Sequence, residues 1–136
     1  MMQTATPTMK TAKKWMLALA TTLALAAHAQ HEPGTSAGIA AKVGLRGDAQ
    51  GVRIPEMRAV RRNDILMVQS DLLNVGTKDV YVFYRYHWLD GNGSQVGDGE
   101  SWKQLSLMGH AQQTVKSVAP SSVATDFRLE MNVEAR

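Results

Sequence analysis

Tyr81, Phe83, Arg85 and His87 are the side chains in this chain whose types and spacing best suit recognition. They recur every second residue, and in extended backbone residues two apart share a face. A guanidinium and an imidazole would therefore stand beside two aromatic rings. Tyr, Trp and Arg dominate the few residues that carry most of the energy in protein interfaces. The chemistry this pattern offers is holding a partner rather than rearranging bonds.

Other chemistries find less support. Asp90-Gly91-Asn92-Gly93-Ser94 opens like a calcium loop, with oxygen ligands at positions one, three and five, but position six is Gln95 rather than Gly and position twelve is Ser101 rather than Glu. His31, His87 and His110 are not spaced to chelate a transition metal together. No Gly-x-Ser-x-Gly elbow marks a nucleophile, and Ser101 is followed by Trp. The chain has no Cys, which excludes thiol catalysis, disulfides, cysteine metal sites and a lipidated cysteine. No catalytic residue, cofactor or metal is expected, and the chain is read as non-enzymatic.

The elements that must position the four residues are strands. Residues 79–89 (DVYVFYRYHWL) are dense in aromatic and β-branched side chains. Val80, Val82, Tyr84, Tyr86 and Trp88 lie on one face, and Tyr81, Phe83, Arg85, His87 and Leu89 on the other. Both faces are largely apolar, so this reads as a central strand. Residues 125–133 alternate without a slip, with Phe127, Leu129, Met131 and Val133 on the dry side. Residues 52–62 and 65–75 read as two further strands joined at Asn63-Asp64, with Leu66, Val68 and Leu72 inward. Pro55 cannot donate to a ladder, which places the start of its strand at an edge. Asn74-Val75-Gly76-Thr77-Lys78 supplies the next turn, with Gly76 able to take positive φ. Residues 101–108 and 112–118 are short strands flanking Gly109-His110, after a glycine-rich hairpin region at 90–99. Six or seven strands at this spacing predict an all-β fold, an immunoglobulin-like antiparallel β-sandwich. Trp88 and Trp102 would fill the volume that a disulfide occupies in antibody domains.

The N-terminus carries an address. Lys10, Lys13 and Lys14 precede an uncharged apolar run at 15–27, and Ala27-His28-Ala29 supplies a small-x-small cleavage pattern. The run is too short to span a bilayer. Residues 1–29 are therefore expected to be a cleaved Sec signal, 30–41 a flexible segment, and 42–136 the sandwich domain. The whole chain has 15 Lys+Arg against 12 Asp+Glu. Three of the lysines fall in the signal, so the remainder is charge-balanced. A neutral domain has no general attraction for nucleic acid or anionic lipid, and no stable membrane anchor is expected.

Several segments in order resemble a known family: residues 57–63 (MRAVRRN) with 66–69 (LMVQ), 84–90 (YRYHWLD), 101–103 (SWK), 119–120 (AP) and 125–128 (TDFR). Together they are similar to the YcfL family of small exported proteobacterial envelope proteins of unknown function. The resemblance covers about residues 50–133, nearly all of the expected domain. It implies an immunoglobulin-like sandwich and supplies no catalytic residues. Many members are lipoproteins, a property the missing Cys denies this chain.

These readings converge on a periplasmic binding or adaptor module whose partner is an envelope protein, met through the Tyr81/Phe83/Arg85/His87 face or a sheet edge. A carbohydrate- or peptidoglycan-binding module is the alternative, with aromatics stacking on sugar and Asn92, Asp98 and Glu100 as hydrogen-bond partners. Arg58, Arg61 and Arg62 are candidates for complementary charge near that face. A small envelope enzyme is the third class.

Overall fold

A computed structural model describes residues 36–136; the expected signal and residues 30–35 lie outside the described residues. The elements are α1 (Ser36–Lys42), β1 (Val43–Arg46), β2 (Val52–Arg62), β3 (Ile65–Asn74), β4 (Val80–Leu89), β5 (Lys103–Leu107), β6 (Gln112–Val118) and β7 (Asp126–Ala135). The seven strands form two sheets, ordered β1-β7-β4-β5 and β2-β3-β6. The sandwich expected from strand spacing is the architecture found.

Alternation explains the two layers. Phe127, Leu129, Met131 and Val133 of β7 are all buried, as are Val80, Val82, Tyr86 and Trp88 of β4, with Tyr84 half-buried. Tyr86 and Trp88 stack at 5.9 Å between centroids, 19° from parallel, and Phe127 tilts against both at 6.2 and 6.4 Å. Such ring contacts add to the apolar burial that drives folding. Trp88 thus takes the central volume expected of it. Trp102 does not: it is 38% exposed, because it lies just before β5 on the outer side of its sheet.

In β3 every second residue is buried, Leu66, Val68, Ser70, Leu72 and Asn74. Two of these are polar, which is why the strand looks irregular by hydropathy alone. Both have partners. The Tyr86 hydroxyl donates to Ser70 Oγ at 2.9 Å, tying one sheet to the other. Burial pushes the Tyr86 phenol up to about 12, against the lowering effect of Ser70. Asn74 Nδ2 donates to the carbonyls of Lys78 (2.8 Å) and Leu107 (3.2 Å), and its Oδ1 accepts from the Gly76 amide at 2.9 Å. That side chain organises the β3–β4 connection, and Gly76 does not use the positive φ open to it. Asn63 (φ 48°) and Asp64 (φ 64°) do take the left-handed region, as a two-residue hairpin between β2 and β3 requires.

Three further departures concern the chain's beginning and its edges. The segment expected to be flexible to residue 41 instead contains α1, whose Ile39 is buried against the core. β1, not foreseen as a strand, joins β7 in parallel, with Val43 opposite Leu129 and Arg46 opposite Asn132. The sandwich is antiparallel at every other pairing. Arg128 donates to the Ala41 carbonyl and Lys42 pairs with Asp126, which fastens α1 to β7. Pro55 does lie on an edge strand, where the β2–β3 register shifts between Arg53 and Glu56.

Candidate functional site on the outer face of the four-stranded sheet

β4 pairs with β7 along its whole length, and that register builds the site. Arg85 stands opposite Glu130, His87 opposite Arg128, Phe83 opposite Asn132 and Tyr81 opposite Glu134. On the other side of β4, Phe83 faces Gln104 and Tyr81 faces Ser106. β1 brings Arg46 beside Asn132. All four sequence candidates therefore share the outer face, and each is half-buried.

They are not equivalent. Glu130, with its side chain 16% exposed, accepts hydrogen bonds from Arg85 Nε at 2.7 Å and His87 Nε2 at 2.8 Å, and a third from Arg46. Burial would raise the Glu130 carboxyl, but the bonds from His87, Arg85 and Arg46 outweigh it and hold the group at about 2. The carboxylate is thus a permanent anion at neutral pH. Arg85 and Arg46 also lie over the Trp102 ring, at 4.5 and 5.4 Å from its centroid, the cation–π geometry. Arg46 itself stays 61% exposed. Arg136 lies over Tyr81 at 5.7 Å and pairs with Asp79 at 3.3 Å.

Val43, Gly44, Arg46, Arg85, His87, Arg128 and Glu130 surround a groove of about 390 Å³. Three guanidiniums meet one carboxylate there, so the groove carries excess positive charge. Arg46 and Arg85 are held there by Glu130 and by the Trp102 ring outside the groove, which lowers the ordering cost that long side chains pay on association.

Glu130, Arg46 and Arg128 escaped sequence reasoning as site residues. Glu130 is visible as a wet-face residue of the last strand, but only the register puts it across from Arg85. The Arg58/Arg61/Arg62 cluster is not near this face. All three belong to β2 in the other sheet; Arg61 donates to the carbonyls of Asp64 (2.8 Å) and Ala124 (2.6 Å), and Arg58 pairs with Glu56.

Glu100 is engaged inside the fold. It accepts from Ser117 and from Trp88 Nε1 (3.3 Å), Lys103 (3.2 Å) and the Tyr86 amide (3.3 Å). Burial would raise its carboxyl; the bonds from Ser117, Lys103 and Tyr86 hold it below the ordinary range. Asp90 Oδ1 accepts from the amides of Asn92 (2.8 Å) and Ser94 (2.9 Å), so it caps its own loop. Among the described residues no three His, Asp or Glu side chains converge as a metal would require. No helix among them is long and apolar enough to cross a membrane.

Fold and face define a small β-sandwich with a charged, aromatic outer sheet. Residues 42–133 match the family described as a protein of unknown function, DUF1425, and the chain belongs to that family. A crystal structure of a DUF1425 member from Shewanella sp. pv-4 is similar at 27% identity and a TM-score of 0.54, over 59% of this chain and 75% of that one. The structure of Campylobacter jejuni cj0090 shares the fold at 23% identity and a TM-score of 0.57, over 70% of this chain and 98% of that one. No curated protein matches the chain.

Proposed function

We propose that the chain is an exported, non-catalytic binding module of the bacterial envelope, akin to the YcfL-like proteins, and that the outer face of the β1-β7-β4-β5 sheet receives a protein partner. The observation that carries this reading is the set Arg46–Trp102–Arg85 fixed over Glu130, flanked by Tyr81 and Phe83. A pre-ordered Trp/Tyr/Arg surface is the composition of binding hot spots. The non-catalytic part rests on the sequence, which offers no Cys and no Gly-x-Ser-x-Gly elbow for a nucleophile. Export rests on residues 10–29, and N-terminal sequencing of the product from periplasm should begin at Gln30.

Crosslinking in periplasm followed by co-purification tests the partner. The wild-type chain should bring down a defined protein, and an Arg85→Ala/Trp102→Ala variant of unchanged circular dichroism should not. Equal recovery by both would sink the reading. A peptidoglycan-binding module is the second reading, favoured by the exposure of Trp102. It is weakened because Arg85 covers that ring and Glu100 is used internally. Retention on purified sacculi, lost in Trp102→Ala, would favour it instead.

A further inference from the structure

The other outer face, that of β2-β3-β6, has a different composition. Register lays Val60, Met67 and Val118 in a row across the three strands. Arg58, Gln69 and Lys116 form the next row on one side, and Arg62 with Ile65 the next on the other. These rows border a groove of about 380 Å³ that no acidic side chain lines. Val118 is 52% exposed. The side chains of Arg62 and Lys116 have no hydrogen-bond or ion-pair partner among the described residues, and Arg58 pairs with Glu56.

We propose that this face docks on an anionic phospholipid surface. Two residues along a strand span about 7 Å, so cations stand on both sides of an apolar bar. A single anionic head would need them on one side; a charged bilayer supplies anions on both, with apolar depth between. A peptide strand would find no free backbone groups to pair with on a sheet face, because the ladders consume them. Near-balance of charge over the domain removes any general attraction to lipid. The acids of this face, Glu56 and Asp71, stand one row beyond Arg58 and Gln69 and outside the groove, with Glu56 paired to Arg58, so the cationic excess is local to Arg62 and Lys116. The face lies opposite Tyr81 and Phe83, so the proposal stands apart from the function proposed above.

The test uses nanodiscs of phosphatidylethanolamine with or without one-third phosphatidylglycerol, and residue-resolved NMR broadening by a paramagnetic lipid. The apolar run at 15–27 has its own affinity for lipid, hence the residue-resolved readout. Broadening at Val60, Met67 and Val118 that needs the anionic lipid is expected. Arg62→Ser/Lys116→Ser should weaken it about thirtyfold, at about 1 kcal/mol per cation near a charged surface. Arg85→Ala should leave it unchanged. Broadening confined to residues 1–35 or to the Tyr81/Phe83 face overturns the proposal. So does equal broadening on neutral discs, or no lipid contact at all, whether or not an acidic protein binds at this face.

Discussion

Arg85 and Glu130 stand directly opposite one another on β4 and β7, with Arg85 Nε 2.7 Å from Glu130 Oε2. Each has further partners, Trp102 for the guanidinium and Arg46 and His87 for the carboxylate. One cross-strand pair therefore fastens three strands and the residue ahead of β5 into a single surface. Cross-strand pairs of opposite charge stabilise a sheet directly; here the pair also sets the shape of the outer face.

Replacing Glu130 with Gln should remove the charge that Arg46, Arg85 and His87 share. The expected cost is about 1–2 kcal/mol, measured as the urea midpoint at neutral pH, with the m-value unchanged. A gain in stability would show that desolvation of the carboxylate outweighs its pairing.

The same group predicts an acid limb. Its folded value, about 2, lies below the ordinary 4.5. The stabilisation is therefore complete above about pH 4.5 and is lost as pH falls toward 2, because the unfolded chain then binds the proton more readily. Other carboxylates are depressed too, Glu100 and Asp126 among them. The difference between wild type and Glu130→Gln isolates this one, and it should shrink by on the order of 1–2 kcal/mol between pH 5 and pH 2, a figure discounted for solvent access. A pH-independent difference would remove the assignment.

Tyr86→Phe should cost about 1–2 kcal/mol although it deletes one oxygen, since Ser70 Oγ is left buried without its donor. Adding Ser70→Ala should recover part of that loss. Additive effects in the double-mutant cycle would mean the two side chains do not interact.

Tyr81→Ser with Phe83→Ser should leave a folded chain that no longer retains its crosslinked partner, because both rings are half-buried on the outer face. Trp88→Ala, by contrast, opens a cavity among Tyr86 and Phe127 and should cost about 3–5 kcal/mol. Collapse of the Tyr81/Phe83 variant would assign those rings to the core.

Gly109 offers a backbone test. A Cβ built there would stand 2.3 Å from the Thr77 carbonyl oxygen, whereas one at Gly91 meets nothing within 4 Å. Gly109→Ala should lower stability by about 1–3 kcal/mol and Gly91→Ala by less than about 0.5 kcal/mol, read from thermal midpoints. Equal effects would contradict the close approach of the β5–β6 turn to the β3–β4 loop.

Much of this arrangement is legible in order of residues alone. Period-two alternation from Phe127 to Val133, and from Val80 to Trp88, states which side chains enter the core, because a pleated strand sends neighbours to opposite sides. It also puts Tyr81, Phe83, Arg85 and His87 together on one face. Asn63-Asp64 announces its hairpin through the tolerance of Asn and Asp for left-handed backbone. Pro55 announces an edge through its missing N–H.

Partnership across strands is a different kind of information, since it depends on register and layer order between residues far apart in the chain. Hydropathy cannot show that Ser70 and Asn74 belong inside, because their burial is made tolerable by Tyr86 and by carbonyls that other segments deliver. Nor can it show that Arg46 and Glu130, 84 positions apart, complete the Arg85 site. It likewise cannot show that Arg58 and Arg62 face away from it on the second sheet. Local pattern decides which way each side chain points; only the folded pairing of strands decides what it points at.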